Sequence, residues 1–143
     1  MKKKLVNKHT GIMLVISFFI LFAVNSLVLY FANLLFPTQI VLGNQSVTYG
    51  WSFIHSMATL AILNIFLVPL VREYENKIGK MISPMCWMKT YFIANFIGLW
   101  ILARFANQLG MGLSSWVVAL FLALALSVIQ GIALMLVEKS KKK

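Results

Sequence analysis

The chain has 143 residues, 61% of them hydrophobic and 11% charged, with 13 Lys and Arg against 3 Asp and Glu for a net charge of +10. A soluble domain is about 45–50% apolar and about 25% charged, and a domain this small has no interior large enough to hide the excess, so a water-soluble fold is excluded and one integral membrane domain over residues 1–143 is expected. Three acids (Glu73, Glu75, Glu138), two histidines (His9, His55) and one cysteine (Cys86) exclude an intramolecular disulfide and a Cys-based metal site; no nucleophile–base set or cofactor site can be built from them, so an enzyme is the least expected class.

A helix needs about 20 mostly apolar residues to cross the hydrocarbon core. Four stretches qualify, at 12–35, 51–71, 86–106 and 115–137. The fold class expected is all-α integral membrane, with four transmembrane helices in two helical hairpins. The first stretch follows Lys2-Lys3-Lys4 but outruns the apolar core of a secretory signal, about 7–15 residues, and no small-x-small cleavage site follows it. It reads as an uncleaved span.

Next comes "PTQIVLGNQSVTYG", residues 37–50. Gly43-Asn44 separates two short β-favouring runs, which predicts a small extracytoplasmic β-hairpin. Asn44-Gln45-Ser46 matches the glycosylation acceptor pattern, but a short loop hugging the membrane is a poor acceptor.

The second span carries Asn64 and Pro69 in "AILNIFLVPL". Pro69 lacks an N–H and frees the carbonyl of Ile65, so a bend into the following charged loop is expected. His55 and Thr59 lie one turn apart, with Ser52 and Ser56 nearby. Asn64 is nine residues from His55, about 180° around a helix, so the two cannot share a partner. His55 is expected to be a hydrogen-bonded packing residue; titration or solute binding is the alternative.

The third span carries Asn95 and, near its outer end, Arg104; the fourth carries Ser127 and Gln130. Ser115, Ala119, Ala123, Ser127 and Gly131 recur every four residues, with a partial counterpart in Ala94, Gly98 and Ala106. Small residues permit the close backbone approach that joins helices in lipid. A tight hairpin between spans three and four is expected; the same ridge in a homodimer is the alternative. Asn25, Asn64, Asn95 and Gln130 each place an amide near mid-membrane, where an unpaired polar group is costly. They are expected to face one another or water, either as glue between helices or as a polar lining. Arg104 either snorkels to the headgroups or holds an anion or lipid headgroup.

Twelve of the thirteen basic residues fall at the two ends, between spans two and three or, for Lys89, just inside the third span, and the stretches 36–50 and 107–114 carry no charge. Basic residues resist translocation, so both termini are expected in the cytoplasm, in a cytoplasmic (inner) membrane. Topology accounts for the lysines without nucleic acid; anionic lipids on the cytoplasmic face are the expected partner, together with a possible homo-oligomer. The two halves also look alike, with Asn25 matching Asn95, Asn64 matching Gln130 and Trp51 matching Trp116. Both halves start on the same side, so the repeat is parallel, about an axis along the membrane normal.

With "ILNIFLVPL" closing the second span, "IAN" in the third, and a Trp followed by "LALALSVIQ" in the fourth, the chain resembles the bacterial YvlD-like proteins of the four-span phage-holin superfamily. The resemblance covers roughly 24–136, and the family's Asn-then-Pro at the end of the second helix matches Asn64 and Pro69. Three functions stay open: a non-enzymatic structural or accessory membrane protein that self-associates, a holin-like pore-former, and a small uncoupled transporter or lipid flippase. Coupling to protons would want an intramembrane carboxylate, and the spans contain none.

Overall fold

The computed structural model describes residues 9–141, with side chains described over 11–136. The chain runs α1 (His9–Leu35), β1 (Ile40–Leu42), α2 (Tyr49–Ile78), α3 (Pro84–Arg104), α4 (Ala106–Leu109), β2 (Met111–Leu113) and α5 (Trp116–Lys141). Four helices are long and apolar enough to cross a membrane: Gly11–Leu35, Tyr49–Ile78, Pro84–Arg104 and Trp116–Leu136. The chain is thus a multi-pass membrane protein by length and composition. The lysines Lys2, Lys3, Lys4, Lys8, Lys139, Lys141, Lys142 and Lys143 lie outside the described side chains.

Local chemistry sets the helix ends. Thr48 Oγ1 caps α2 by accepting from the Trp51 N–H, and Gly79 closes it with a left-handed φ of 70° and an N–H to the Glu75 carbonyl. Glycine adopts that conformation without a Cβ penalty. Ser83 Oγ accepts from the Cys86 N–H, and Pro84 stands in the first turn of α3, where its missing N–H costs nothing.

The second span was expected to give way to a loop after Pro69; instead α2 continues through Pro69 to Ile78. The residues that follow, Arg72-Glu73-Tyr74-Glu75-Asn76-Lys77, include four strong helix formers, and the gain in continuing outweighs one lost backbone bond. Thirty helical residues reach about 45 Å, longer than a hydrocarbon core of about 30 Å, and the charged turns are helix rather than loop.

The long helices pack in the cyclic order α1, α2, α3, α5, with α3 against α5 the most extensive contact. The same burial register recurs in the two outgoing helices: Leu21, Asn25, Val28 and Leu29 are buried in α1, and Tyr91, Asn95, Gly98 and Leu99 in α3. The returning helices match likewise, with Leu60, Ala61 and Asn64 buried in α2 and Leu126, Ser127 and Gln130 in α5.

At one end of the bundle the two connections join. The hairpin expected within residues 37–50 does not form. β1 pairs instead with β2 of the other connection, antiparallel, with Ile40 opposite Leu113, Val41 opposite Gly112 and Leu42 opposite Met111. The commonest two-residue hairpin turn needs positive φ at both central residues, but of the two only Gly43 has it, at 85°, and no non-glycine residue among those described does. Asn44 folds the chain locally instead, its Oδ1 accepting from the Ser46 and Val47 N–H groups at 2.8 Å each. The ribbon is lengthened by Gly43 N–H to Gly110 O (2.7 Å) and Ser114 N–H to Gln39 O (2.9 Å). Where a plain loop was expected at 107–114, α4 and β2 form, and the third span ends at Arg104, leaving Ala106 in α4.

Candidate functional site

The four intramembrane amides meet at the centre of the bundle, one from each long helix. Asn64 Nδ2 donates to Asn95 Oδ1 at 2.7 Å. Asn95 Nδ2 donates to Gln130 Oε1 at 2.8 Å. Gln130 Nε2 donates to Asn25 Oδ1 at 2.6 Å, with a longer approach of 3.4 Å to Asn95 Oδ1. All four residues are fully buried. The bonds run in one direction, 64 to 95 to 130 to 25, and the two loose ends are complementary: Asn25 Nδ2, a donor, and Asn64 Oδ1, an acceptor, are both buried without a partner. The extra methylene of glutamine explains why the α5 member reaches two neighbours while Asn64, its counterpart in α2, reaches one.

Chemically, four neutral amides do not ionise near neutral pH; they donate and accept hydrogen bonds. Buried leucines and Met57 surround them: Leu21, Leu29, Leu60, Leu99 and Leu126 are each 1% exposed or less. Among the described residues no group of three metal-ligating side chains comes together.

The remaining candidates do not join the network. Ser127 Oγ donates to the carbonyl of Ala123 within its own helix, a local bond that removes it from any site. Pro69 is exposed. His55 was expected to be a hydrogen-bonded packing residue; it is exposed and stacks on Trp51, ring centroids 4.9 Å apart. Its place on the outside while Asn64 is buried agrees with their half-turn offset.

The small-residue ridge is used within the chain. Ala119 and Ala123 are buried, and a Cβ on Gly131 would meet Met88 Cγ of α3 at 3.7 Å. Ala94 is half-buried. Gly98 corrects the expected pairing: it does not serve the α3–α5 hairpin but receives Leu60 and Leu63 of α2, because α3 is flanked by both neighbours and its narrowest point faces the bulkier one.

Sequence reasoning passed over the polar residues that fasten the ribbon end. Asn33 Nδ2 donates to the Ile40 carbonyl at 2.7 Å, and the Tyr49 hydroxyl donates to Asn33 Oδ1 at 3.2 Å. Asn44 Nδ2 donates to the carbonyls of Ala106 (3.1 Å) and Asn107 (3.0 Å), joining the two connections. Ser114 Oγ donates to Gln39 Oε1. An Asn beside a positive-φ glycine is a signal for such local bonding, but its long-range partners carry no sequence mark. Arg104 is exposed at the same end, at the last residue of α3, with no ion pair or hydrogen bond among the described residues. Comparison with family models, with curated proteins and with solved structures gives no match to this chain.

Proposed function

We propose that this chain is a small, non-enzymatic, four-span protein of the cytoplasmic membrane with a structural or accessory role, whose central amides hold its helices together. The carrying observation is the hydrogen-bonded sequence Asn64–Asn95–Gln130–Asn25, which draws one polar group from each helix and turns all four away from lipid. Interhelical bonds of this kind contribute about 0.6 kcal/mol each on average; three of them stabilise one arrangement of four helices that lipid-facing leucines alone would not select. The recurring burial register and the cyclic packing order support an internal parallel repeat, relating α1 to α3 and α2 to α5 about an axis along the membrane normal. Both termini lie in the cytoplasm in this reading, with Arg72, Lys77, Lys80 and Lys89 beside anionic headgroups.

The outward sides argue against a holin-like pore built from this surface. A pore of several copies needs a polar stripe facing the lumen, but the exposed positions at mid-helix are apolar, including Phe19, Leu27, Ile62, Phe66, Ile93 and Phe121. With the ridge of α5 spent inside the chain, association of copies runs through these apolar sides.

The test is membrane potential, read with a voltage-sensitive dye in bacteria carrying the chain under inducible control, beside Asn64→Leu and Arg104→Ala at matched expression. The accessory reading expects an unchanged potential. Rapid depolarisation abolished by either substitution would replace it with the pore.

A further inference from the structure

Four residues before Arg104, Trp100 lines a groove that none of the described residues fills. The groove holds about 210 Å³ and is lined by Phe96, Ile97 and Trp100 of α3 and Trp116 of α5. Three of these are half-exposed or more: Ile97 at 50%, Trp100 at 56% and Trp116 at 65%. Trp100 lies one turn before Arg104, and residues four apart are neighbours on a helix surface. Arg104 therefore stands next to the Trp100 wall of the groove, on the same side of α3 at the ribbon end.

Its charge has no counter-ion at that end. The three acids of the chain are Glu73, Glu75 and Glu138; the first two lie in the far turns of α2 and the third near the end of α5, all at the opposite end of the bundle from the ribbon. The equivalent register position in α1 is Leu34, exposed at 62%, so the same lipid-facing place needs no cation for folding. Snorkelling accounts for how a guanidinium survives there, and a cation near a helix C-terminus gains from the helix dipole. Neither uses the apolar groove with a tryptophan on each wall.

We propose that Arg104 and this groove form a binding site for an anionic phospholipid in the leaflet at the ribbon end, the phosphate on the guanidinium and an acyl chain between Trp100 and Trp116. A planar guanidinium presents paired N–H donors to phosphate oxygens, and indole rings sit well at the headgroup boundary. The site rests on the chain being membrane-spanning and is independent of which end faces the cytoplasm.

The experiment uses full-length protein carrying Trp51→Phe and Trp87→Phe, so that emission comes from Trp100 and Trp116. It is reconstituted in phosphatidylcholine vesicles holding a minor share of brominated phosphatidylglycerol or, in parallel, brominated phosphatidylcholine. Bromine quenches only at short range, so lipid gathered at the lysine-rich end does not register. One basic residue near an anionic surface is worth about fivefold in local lipid. We expect the brominated anionic lipid to quench about fivefold more effectively, Arg104→Lys to keep only part of that preference because an ammonium has no paired fork of donors, and Arg104→Gln to abolish it with quenching by brominated phosphatidylcholine unchanged. Equal quenching by the two lipids in the parent, or a preference that survives Arg104→Gln, overturns the site.

Discussion

Gly98 of α3 and Leu60 of α2 approach so closely that a Cβ on the glycine would stand 2.7 Å from Leu60 Cδ1, with Leu63 Cδ1 at 3.3 Å. Leu60 is fully buried and has little room to retreat. Overpacking of this kind costs about 1–3 kcal/mol, and that is the loss expected for Gly98→Ala, read by unfolding in mixed micelles. Leu60→Ala alone costs about 2–5 kcal/mol. Because the alanine Cβ then occupies space that Leu60 vacated, the double variant should cost less than the two single losses combined; strict additivity would refute the contact. Gly131→Ala, whose new Cβ meets only ordinary contact at 3.7 Å, should lie within about 0.5 kcal/mol of the parent.

The amides should not be equivalent. Gln130 accepts from Asn95 and donates to Asn25, so Gln130→Leu strands two buried groups and should cost about 1–3 kcal/mol. Asn25→Leu removes one bond, and Gln130 Nε2 keeps its approach to Asn95 Oδ1; about 0.6 kcal/mol is expected. Leucine is favoured in lipid, so neither change impairs insertion. An equal or inverted order in the same unfolding assay would mean that the hydrogen bonds do not run as described.

Much of this was legible in the sequence. The apolar runs mark the four long helices, and Asn25, Asn64, Asn95 and Gln130 stand out because a mid-membrane amide is costly without a partner; their convergence follows from that cost. The half-turn between His55 and Asn64 correctly keeps the two from sharing a partner, although His55 was expected to pack and instead is exposed. What the sequence hides is pairing at a distance. Gly43-Asn44 carries a local turn signal, yet β1 finds its partner across the bundle in β2, a choice set by where four helices bring their ends. Gly98 is similar: spacing assigns it to a small-residue stripe, but only the packed bundle shows that Leu60 fills it. Helix ends beyond the apolar run are missed for a third reason, since hydropathy stops at Val71 while α2 is carried on by charged helix formers to Ile78.

The ribbon joins two connections, and paired cysteines can tell this from a hairpin. A Cβ on Gly112 would stand 4.0 Å from Val41 Cβ, within the span of about 3.5–4.5 Å that a disulfide bridges. In a Cys86→Ser background, Val41→Cys with Gly112→Cys should oxidise readily and appear as one linked pair of peptides by mass spectrometry. A hairpin turning at Gly43-Asn44 would instead set Val41 opposite Ser46, and Val41→Cys with Ser46→Cys should not link. Cross-linking of the second pair and not the first would restore the hairpin.

Gly110 and Gly112 are two residues apart and should respond oppositely to the same substitution. Gly110 has a φ of 75°, and a Cβ there would stand 2.9 Å from Ser52 Cβ and 3.1 Å from Val47 Cβ. Ser52 is fully buried and cannot yield. A left-handed conformation costs an L-residue roughly 1–2 kcal/mol before any clash. Gly110→Ala should therefore loosen the ribbon, raising amide hydrogen exchange about tenfold, as 1.4 kcal/mol would, at Gly43, which donates to the Gly110 carbonyl, and at Ser114, which donates to Gln39. Gly112→Ala gains a Cβ whose nearest contact is 4.0 Å away, and exchange at both amides should stay at the parent rate. Equal acceleration by the two variants would show that the glycines serve chain flexibility alone and that the seat of Gly110 against Ser52 does not anchor the ribbon to α2.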